Sequence, residues 1–357
     1  MATKIKEKKE HYSPLTVVLL IVLILYCVTF FFLIIWGICT SLKVNDDFFK
    51  WRPEHLFNSY SGYEKHLQEQ LEFHKKNYEL TKDPESFYQY KRTIPALLAK
   101  YKSIRGEMGG AMPFYTYKYA FKVFSYKVPI GEGVIVHLDK LYLNSILYAG
   151  GCGLASTVVP CIAAYACARY KYKFSRIMHT TVIITMMIPI VGSQPSEIKM
   201  AVDTGIFDTF YGLWIMRANF LGMYFLMFYD ICKALPTSFS EAAKMDGANN
   251  FQIFFKIALP LIKNTFMTVF LIRFIAFWNE YQVPMLYTPS YPTVAMGLNE
   301  LMSFAGGAPH LKKGYFDMVE TPSRMAAAVL TAAPVCILFG CFQKRLLGNL
   351  TMGGVKG

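Results

Sequence analysis

Long apolar segments alternate with shorter polar stretches along most of the chain. Six segments are apolar enough to be candidate membrane spans, because a bilayer core about 30 Å thick requires about 20 apolar residues in helical form. They cover residues 15–36, 141–168, 177–195, 209–231, 264–286 and 325–343. The fourth is the weakest, since Arg217 interrupts it. The pattern predicts an all-α polytopic membrane protein with six transmembrane helices.

A polar stretch at residues 43–140 separates the first two apolar segments. Apolar and aromatic side chains recur at helical spacing over 63–78 and 87–101, so two amphipathic helices divided at Asp83-Pro84 are expected. Residues 115–123 alternate between aromatic or apolar side chains and polar or small ones, which predicts a half-buried strand before a turn at 129–133. The stretch is therefore an α+β insert between helices one and two. Its aromatic stripe fits either a ligand platform or a small core, and we favour the core.

These segments divide the chain into five parts. The first apolar run is uncharged for 22 residues, longer than the roughly 7–15 of a signal-peptide core, so a retained signal-anchor helix is favoured over a cleaved signal. The parts are an N-terminus (1–13), a first transmembrane helix (14–42), the insert (43–140), a five-helix core (141–343) with a polar loop at 233–263, and a tail (344–357).

Composition and charge agree with this division. Hydrophobic residues make up 54% of the chain and charged residues 17%, which excludes a disordered chain. The 37 Lys and Arg against 24 Asp and Glu give a net charge of +13. Basic residues gather at both ends and in the second-to-third and fourth-to-fifth loops, which lie on one side if there are six spans. The positive-inside rule then predicts that both termini are cytoplasmic and that the insert is extracytoplasmic. Membrane orientation therefore explains the positive net charge, and we expect no nucleic-acid partner.

The sequence contains no recognisable catalytic or metal-binding motif. The eight cysteines lie in or beside apolar segments without a CxxC pair, which is typical of small buried hydrophobes. HExxH and GxSxG are absent, and the histidines lack ligand spacing. There is no phosphate loop either, so ATP and Mg²⁺ would have to bind other subunits. We therefore expect no catalytic residue, no metal site and no cofactor on this chain.

The loop between the fourth and fifth segments is predicted to form two short helices and a sharp turn. Ser238 or Ser240 is a candidate cap for the first helix, with Glu241 in its first turn. Asp246-Gly247 has turn chemistry. Asn249 is expected to cap the second helix with Gln252 as a box partner, and Pro260 is expected to end that helix. Such a rigid, half-apolar element suits docking into a cleft of another protein; the alternative is an ordinary connection between spans.

The same loop resembles the EAA motif of ABC importer permeases. Glu241, Ala242 and Ala243 are followed after three residues by Gly247, and after nine more by Ile257-x-Leu259-Pro260. In that family this loop is the coupling helix, seated in a groove of the ATPase subunit. The resemblance implies that role for Glu241, Ala242, Ala243, Asp246, Gly247, Leu259 and Pro260.

Three further stretches resemble the carbohydrate-importer permeases. These are Trp278-Asn279-Glu280, residues 292–298 and the ending at 350–357, which is similar to the tail of the maltose-type second permease. In that transporter the tail reaches the ATPase dimer interface. The resemblance implies the same contact for Gly353, Gly354, Val355 and Lys356. The insert departs from the usual shorter loop, so contacts with a binding protein do not follow.

Charged side chains inside the apolar segments are the remaining candidates. Arg217, Arg273 and Glu280 are costly in lipid and should face the bundle interior. Arg273 and Glu280 are seven residues apart and share one helix face. A structural ion pair or a water-bridged network is the favoured interpretation. The alternative places Arg273, Asn279, Glu280 and Tyr281 near a translocation pathway for sugar hydroxyls.

These observations and the resemblance together predict a permease subunit of a binding-protein-dependent sugar importer in a bacterial cytoplasmic membrane. The expected partners are a second homologous permease, two ATPase subunits, an extracellular solute-binding protein, the lipid bilayer and an oligosaccharide. A same-family permease for glycerol phosphate or a peptide is the first alternative. A self-contained secondary carrier and a membrane enzyme are the others, and no inverted repeat or nucleophile in the sequence supports them.

Overall fold

The computed structural model describes residues 14–42, 59–107, 115–129, 133–170, 172–188, 192–303 and 320–350. Helices dominate this part of the chain, in agreement with the all-α expectation. Contacts group the chain into two compact units, one of residues 1–120 with 313–329 and one of residues 121–312 with 330–357.

The helices and strands are numbered here in chain order. Residues 14–137 contain α1 (Pro14–Ser41), α2 (Ser59–Thr81), α3 (Pro84–Tyr88), a π turn (Gln89–Thr93), α4 (Ile94–Glu107), α5 (Tyr115–Val123), β1 (Ser125–Lys127) and β2 (Ile135–His137). Residues 138–245 contain α6 (Leu138–Arg169), α7 (Lys173–Met187), α8 (Gln194–Asp203), α9 (Phe210–Arg217), α10 (Met223–Ala234) and α11 (Thr237–Met245). The remainder contains α12 (Asn250–Ile253), a π turn (Phe254–Ala258), α13 (Leu259–Leu261), α14 (Lys263–Asn279), α15 (Gln282–Tyr287), α16 (Val294–Ser303) and α17 (Glu320–Leu350).

Three helical stretches in the described part are long and apolar enough to cross a membrane as single helices: Pro14–Ser41, Leu138–Arg169 and Thr321–Gln343. A fourth candidate is the pair Asn250–Leu261 and Lys263–Asn279, which is bent by 78°. The other predicted segments are not single helices. The third is divided between α7 and α8, and the fifth breaks after Asn279 before α15 begins.

The fourth predicted segment breaks for a local reason. Helix α9 ends at Arg217 and α10 begins at Met223. Between them, the Asn219 side chain accepts a hydrogen bond from the Leu221 backbone N–H at 2.6 Å, and Gly222 has a φ of +139°. A side-chain acceptor of this kind competes with the helical ladder, and this glycine conformation lies outside the helical region. Apolar composition alone therefore overestimates the length of this helix.

Helix α6 forms the centre of the second unit and packs against α9, α10 and α14. Small residues on α6 permit this close packing. A Cβ atom at Gly151 would overlap the Trp214 indole, and one at Gly153 would lie 3.4 Å from the Phe274 Cα. Trp214 also donates from Nε1 to the Leu147 carbonyl oxygen at 3.2 Å. The glycines thus let α9 and α14 approach the α6 backbone.

The described residues of the polar insert begin, at Ser59, with helices that match the sequence prediction. Helix α2 ends at Thr81 and α3 begins after Asp83, so the expected division at Asp83-Pro84 is confirmed. The Asp83 carboxylate accepts hydrogen bonds from the Ser86 hydroxyl at 2.8 Å and the Ser86 N–H at 3.0 Å. These bonds hold the pKa of Asp83 below its ordinary value. Tyr78 and Phe87 then pack their rings 5.0 Å apart across the division.

The predicted strand at 115–123 is wrong, because these residues form helix α5. The buried positions are Thr116 and Ala120, four residues apart, as on one helix face. Phe121, one of the alternating apolar positions, is instead 53% exposed. The strands come later, where β1 and β2 pair antiparallel with Tyr126 opposite Val136.

The expectation that the cysteines are buried holds for only part of the set. Cys152, Cys161, Cys167 and Cys232 are buried, and Cys39 is half-buried. Cys27 is exposed on α1, whose apolar side chains are largely exposed, and Cys336 and Cys341 are exposed on the part of α17 that also exposes Ile337 and Phe339. Apolar neighbours in sequence therefore do not imply burial for a residue on these two helices.

Candidate functional site

The loop from Lys233 to Lys263 forms the compact element that the sequence predicted, although its first helix begins differently. Helix α11 starts at Thr237, directly after the extended Pro236, and has no side-chain cap. The predicted Ser238 or Ser240 cap is therefore wrong, because both serines lie inside the helix. Glu241 is the fifth helical residue rather than part of the first turn, and its side chain is exposed.

The turn after α11 is a Schellman motif centred on Gly247. The Gly247 N–H donates to the Lys244 carbonyl oxygen at 3.0 Å, and the Ala248 N–H donates to the Ala243 carbonyl oxygen at 2.9 Å. Gly247 has a φ of +78°, the left-handed conformation that this motif requires. The predicted turn at Asp246-Gly247 is confirmed, and it fixes the direction in which the chain leaves α11.

The second helix of the loop begins with the predicted capping box. The Gln252 N–H donates to the Asn249 Oδ1 at 2.8 Å, and the Asn249 N–H donates to the Gln252 Oε1 at 2.9 Å. These reciprocal bonds satisfy two amides that a helix start otherwise leaves unpaired. Both ends of the intervening turn are therefore defined by local hydrogen bonds.

The second helix does not end at Pro260 as predicted. A π turn at Phe254–Ala258 leads into α13, and the helical path ends at Ile262. The Leu259 N–H reaches back to the Phe254 carbonyl oxygen, so the hydrogen-bond register has already shifted when the chain reaches Pro260. A shifted ladder accommodates a residue without an N–H. The 78° bend follows between Leu261 and Lys263.

The loop is attached to the helical bundle at both ends. Phe254 is buried and its ring lies 4.9 Å from the Tyr165 ring on α6. At the other end, the Arg169 Nη2 donates to the Leu235 carbonyl oxygen at 3.1 Å. Ala243 and Ala258 are also buried. Tyr165 and Arg169 lie one turn apart near the end of α6, so both contacts join the loop to the same part of this helix.

Several apolar side chains of the loop are exposed to solvent. We call them together the exposed loop face; they are Phe239, Met245, Phe251 and Phe255, which are 51%, 89%, 77% and 54% exposed. Glu241 and Ala242 are exposed beside them, and Pro260 is exposed at the far end. Exposed apolar side chains grouped on one rigid element are typical of an interaction surface.

A basic cavity of about 650 Å³ adjoins the base of the loop. Arg169, Lys173, Arg176 and Lys233 line it together with His179. The Lys233 ammonium lies 5.8 Å from the centre of the Tyr229 ring. These side chains come from α6, α7 and α10, so the fold gathers the basic residues of two separate loops on one end of the bundle.

The structure does not pair Arg273 with Glu280. The Arg273 Nε donates to the Ser156 hydroxyl at 3.0 Å, and its guanidinium carbon lies 4.6 Å from the Phe277 ring centre. The Glu280 carboxylate instead accepts from the Gln282 N–H at 2.9 Å, at the start of α15. The helix ends at Asn279, so the common helix face expected for these two residues is lost.

The remaining pathway candidates lie near the same helix end. Asn279 is exposed and donates to the Ile275 carbonyl oxygen at 3.0 Å, while Tyr281 is half-buried. Sequence reasoning did not place Arg217 together with Arg273, but both line one cavity of about 250 Å³. The signal available in the sequence was that both are charged residues in apolar segments.

A polar cluster connects the segment after α7 to α15. The Glu197 carboxylate accepts hydrogen bonds from the Ser193 hydroxyl at 2.7 Å and the Tyr287 hydroxyl at 3.0 Å. The bond from Ser193 and the weaker contribution of Tyr287 lower the pKa of Glu197. Asp208 accepts from the Ser290 N–H at 3.1 Å. These carboxylates are engaged in holding loops together.

The C-terminal tail and metal binding are the last two features for which the sequence makes a prediction. The tail residues Gly353, Gly354, Val355 and Lys356 lie outside the described residues. In the part of the chain that the structure describes, His, Cys, Asp and Glu side chains form no group of three or more that could hold a metal ion.

Comparison with known proteins places this site in a family. A family model described as "Binding-protein-dependent transport system inner membrane component" matches residues 156–350, more than half of the chain. The matched region contains the whole loop and both arginines of the smaller cavity.

Individual relatives cover a similar part of the chain. AraQ, the arabinooligosaccharides transport system permease protein of Bacillus subtilis (strain 168), is 29% identical over 61% of this chain and 74% of its own length. MalD, the maltodextrin transport system permease protein of Streptococcus pneumoniae, is 29% identical over 60% of this chain and 74% of its own length. A solved bacterial ABC transporter chain, involved in importing the acidic polysaccharide alginate, has a TM-score of 0.49 and 22% identity over 71% of this chain and 98% of its own. The extent of the family match shows that this chain belongs to the inner-membrane components of binding-protein-dependent transport systems.

Proposed function

We propose that this chain is a permease subunit of an ATP-driven sugar importer, with an oligosaccharide as its solute. The observation that carries the proposal is the exposed loop face, which is apolar, rigid and attached to α6 at both ends. The family match supports a role in binding-protein-dependent transport. The named relatives that act on arabinooligosaccharides and maltodextrin support the sugar.

The proposed assembly contains two permeases, two ATPase subunits and an extracellular solute-binding protein. ATP and Mg²⁺ bind the ATPase subunits, because this sequence has no phosphate loop. The exposed loop face, with Glu241 and Ala242 beside it, fits a groove on one ATPase. Gly353, Gly354, Val355 and Lys356 are proposed to reach the ATPase dimer as well, on the strength of the resemblance of the tail alone.

The proposed topology has six membrane crossings in a bacterial cytoplasmic membrane. The third to fifth crossings contain helix breaks, and the insert at 43–140 is extracytoplasmic. The basic cavity beside the loop supports this orientation, since Arg169, Lys173, Arg176 and Lys233 gather on one end of the bundle. Positive side chains of short loops remain on the cytoplasmic side, which also places both termini there.

The proposed mechanism transmits ATPase closure through the loop to α6. The Schellman turn at Gly247 and the capping box at Asn249 fix α11 and α12 relative to each other. Phe254 and Arg169 connect this element to the end of α6. When the ATPases close, the loop moves as a lever and favours the outward-facing arrangement, a population shift driven by contacts that differ between the two states.

Transport by the reconstituted assembly tests this proposal. The chain is purified with its co-encoded permease and ATPase subunits, placed in proteoliposomes and supplied with the binding protein and a labelled oligosaccharide that this protein binds. Uptake is expected only when ATP, Mg²⁺ and both ATPase subunits are present. Uptake by this chain alone without ATP would contradict the proposal and identify a self-contained carrier.

A further inference from the structure

A cavity of about 250 Å³ lies between α6, α9, α10 and α14. Its wall includes Ser156, Arg217, Asn219, Phe220, Tyr224 and Arg273. The volume is close to the lower end of the range for small-molecule sites, about 300–1,000 Å³. A space of this size suits one unit of a larger solute.

One side of the cavity is formed by irregular backbone between α9 and α10. The Asn219 N–H donates to the Arg217 carbonyl oxygen at 2.9 Å, and the Leu221 N–H donates to the Asn219 side chain. Non-helical backbone at membrane depth is tolerated where it is buried in protein or lines a water-filled cavity. The position of the break therefore agrees with a polar space inside the bundle.

Two arginines line this cavity, and neither forms an ion pair with a carboxylate in the described part of the chain. Arg273 has one hydrogen bond from its side chain, to the Ser156 hydroxyl, and its guanidinium carbon lies 5.6 Å from the Tyr224 ring centre and 4.6 Å from the Phe277 ring centre. The Arg217 Nε is buried and makes no hydrogen bond to the described residues.

The nearby carboxylates are engaged elsewhere. Glu280 accepts from the backbone at the start of α15. Glu197 accepts from the Ser193 and Tyr287 hydroxyls. Charged side chains in membrane segments are costly and are characteristic of solute or ion pathways. Arg217 interacts with Glu197 only at longer range, and neither guanidinium group is ion-paired to a described carboxylate. Two such groups around one cavity therefore favour the binding of an anionic group.

We infer that this cavity binds a carboxylate of the solute, so that the imported sugar is an acidic saccharide. A guanidinium group presents parallel N–H donors that match the two oxygens of a carboxylate. The Phe220 and Tyr224 rings provide apolar surface for the face of a sugar ring. The inference rests on the proposed sugar-import function and specifies its substrate class.

The test compares a uronic-acid disaccharide with its neutral counterpart, which carries CH₂OH in place of each carboxylate. Initial uptake rates are measured in proteoliposomes of the complete transporter with its binding protein. Equilibrium binding of both sugars to the purified transporter without the binding protein separates the selectivity of the permease from that of the binding protein. Wild-type transporter is expected to bind the acidic sugar at least about tenfold more tightly than the neutral one, which corresponds to 1.4 kcal/mol.

Arg217→Gln and Arg273→Gln are each expected to remove most of this preference. Binding and uptake of the acidic sugar should fall by about tenfold or more, while any uptake of the neutral sugar is unchanged. Arg217→Lys and Arg273→Lys keep the charge but lose the planar fork, so they should retain part of the preference. Lys199→Gln, an exposed position on α8 with the same charge change, is the control and should behave as wild type.

Several results would overturn the inference. Equal binding of acidic and neutral sugars by the wild type would do so, and so would preferred binding of a phosphorylated sugar. If the Gln and Lys variants alike fail to assemble with the second permease, the arginines pair with that subunit instead. Absence of ATP-driven uptake of any sugar would instead contradict the proposed function itself.

Discussion

The geometry of the loop requires glycine at position 247 more directly than it requires any other residue type in the loop. Its φ of +78° is one that L-residues with a Cβ avoid, at a cost of about 1–2 kcal/mol. No atom lies within 4 Å of the position that a Cβ would occupy. The requirement is therefore conformational rather than steric, and residue types should differ by their tolerance of the left-handed region.

We expect Gly247→Val to uncouple the transporter and Gly247→Asn to be tolerated. Valine is β-branched and resists this conformation, whereas asparagine adopts it at helix ends. The valine variant is expected to relieve a strain of more than about 1.4 kcal/mol by rearranging the turn. Because this energy corresponds to a factor of about ten, ATP-driven uptake should fall by about tenfold or more. The measurement is uptake together with ATPase activity in proteoliposomes. Equal uptake by the two variants would show that the turn does not depend on Gly247.

Neighbouring glycines on α6 are predicted to differ sharply in their tolerance of alanine. A Cβ at Gly151 would overlap the Trp214 indole, while one at Gly150 meets nothing within 4 Å. Gly151→Ala should therefore lower stability by about 1–3 kcal/mol through overpacking. Gly150→Ala should be neutral or stabilising, because alanine is the better helix former. Thermal unfolding of the purified complex distinguishes the two, and equal midpoints would contradict the packing of α9 on α6.

At the scale of elements, local turn and capping residues predicted the loop well, whereas apolar composition predicted the membrane spans poorly. The turn at Gly247 and the capping box at Asn249 depend on residues within five positions of each other, so the sequence alone was enough to predict both. The strand prediction at 115–123 failed because an alternating pattern does not reveal that Thr116 and Ala120 are the buried positions. The breaks in the third to fifth segments depend on a side-chain acceptor, a glycine conformation and tertiary packing, which apolar composition does not report.

The two faces of α12 and the following π turn are expected to have separate roles. Phe251 is 77% exposed, whereas Phe254 is 7% exposed and packs against Tyr165. Phe251→Ser should leave the unfolding midpoint unchanged and reduce co-purification of the ATPase subunits. Phe254→Ala should lower the midpoint, because truncating a buried phenylalanine costs about 3–5 kcal/mol. If Phe251→Ser destabilises the permease while the ATPases remain bound, the exposed loop face is misassigned. The sequence predicted a half-apolar element here and did not distinguish these residues.

At the scale of the whole molecule, the charge distribution and the fold support the same membrane orientation. Basic residues of two separate loops line one cavity at the base of the loop, and Arg217 and Arg273 line a second cavity within the bundle. A positive end suits the cytoplasmic side of a membrane. The sequence predicted the first arrangement from loop composition, but it could not predict the second, because Arg217 and Arg273 are brought together only by the packing of α9 and α14 on α6.

Site-specific photo-cross-linking from the exposed loop face tests the central claim most directly. A photoreactive amino acid is placed at Phe251 or Met245 in the complete transporter, with Leu154, exposed on α6, as the matched control position. The account predicts cross-links from positions 251 and 245 to an ATPase subunit, and none from position 154. Cross-links to the ATPase from position 154 but not from 251 or 245, in a transporter that still takes up its solute with ATP, would contradict the account.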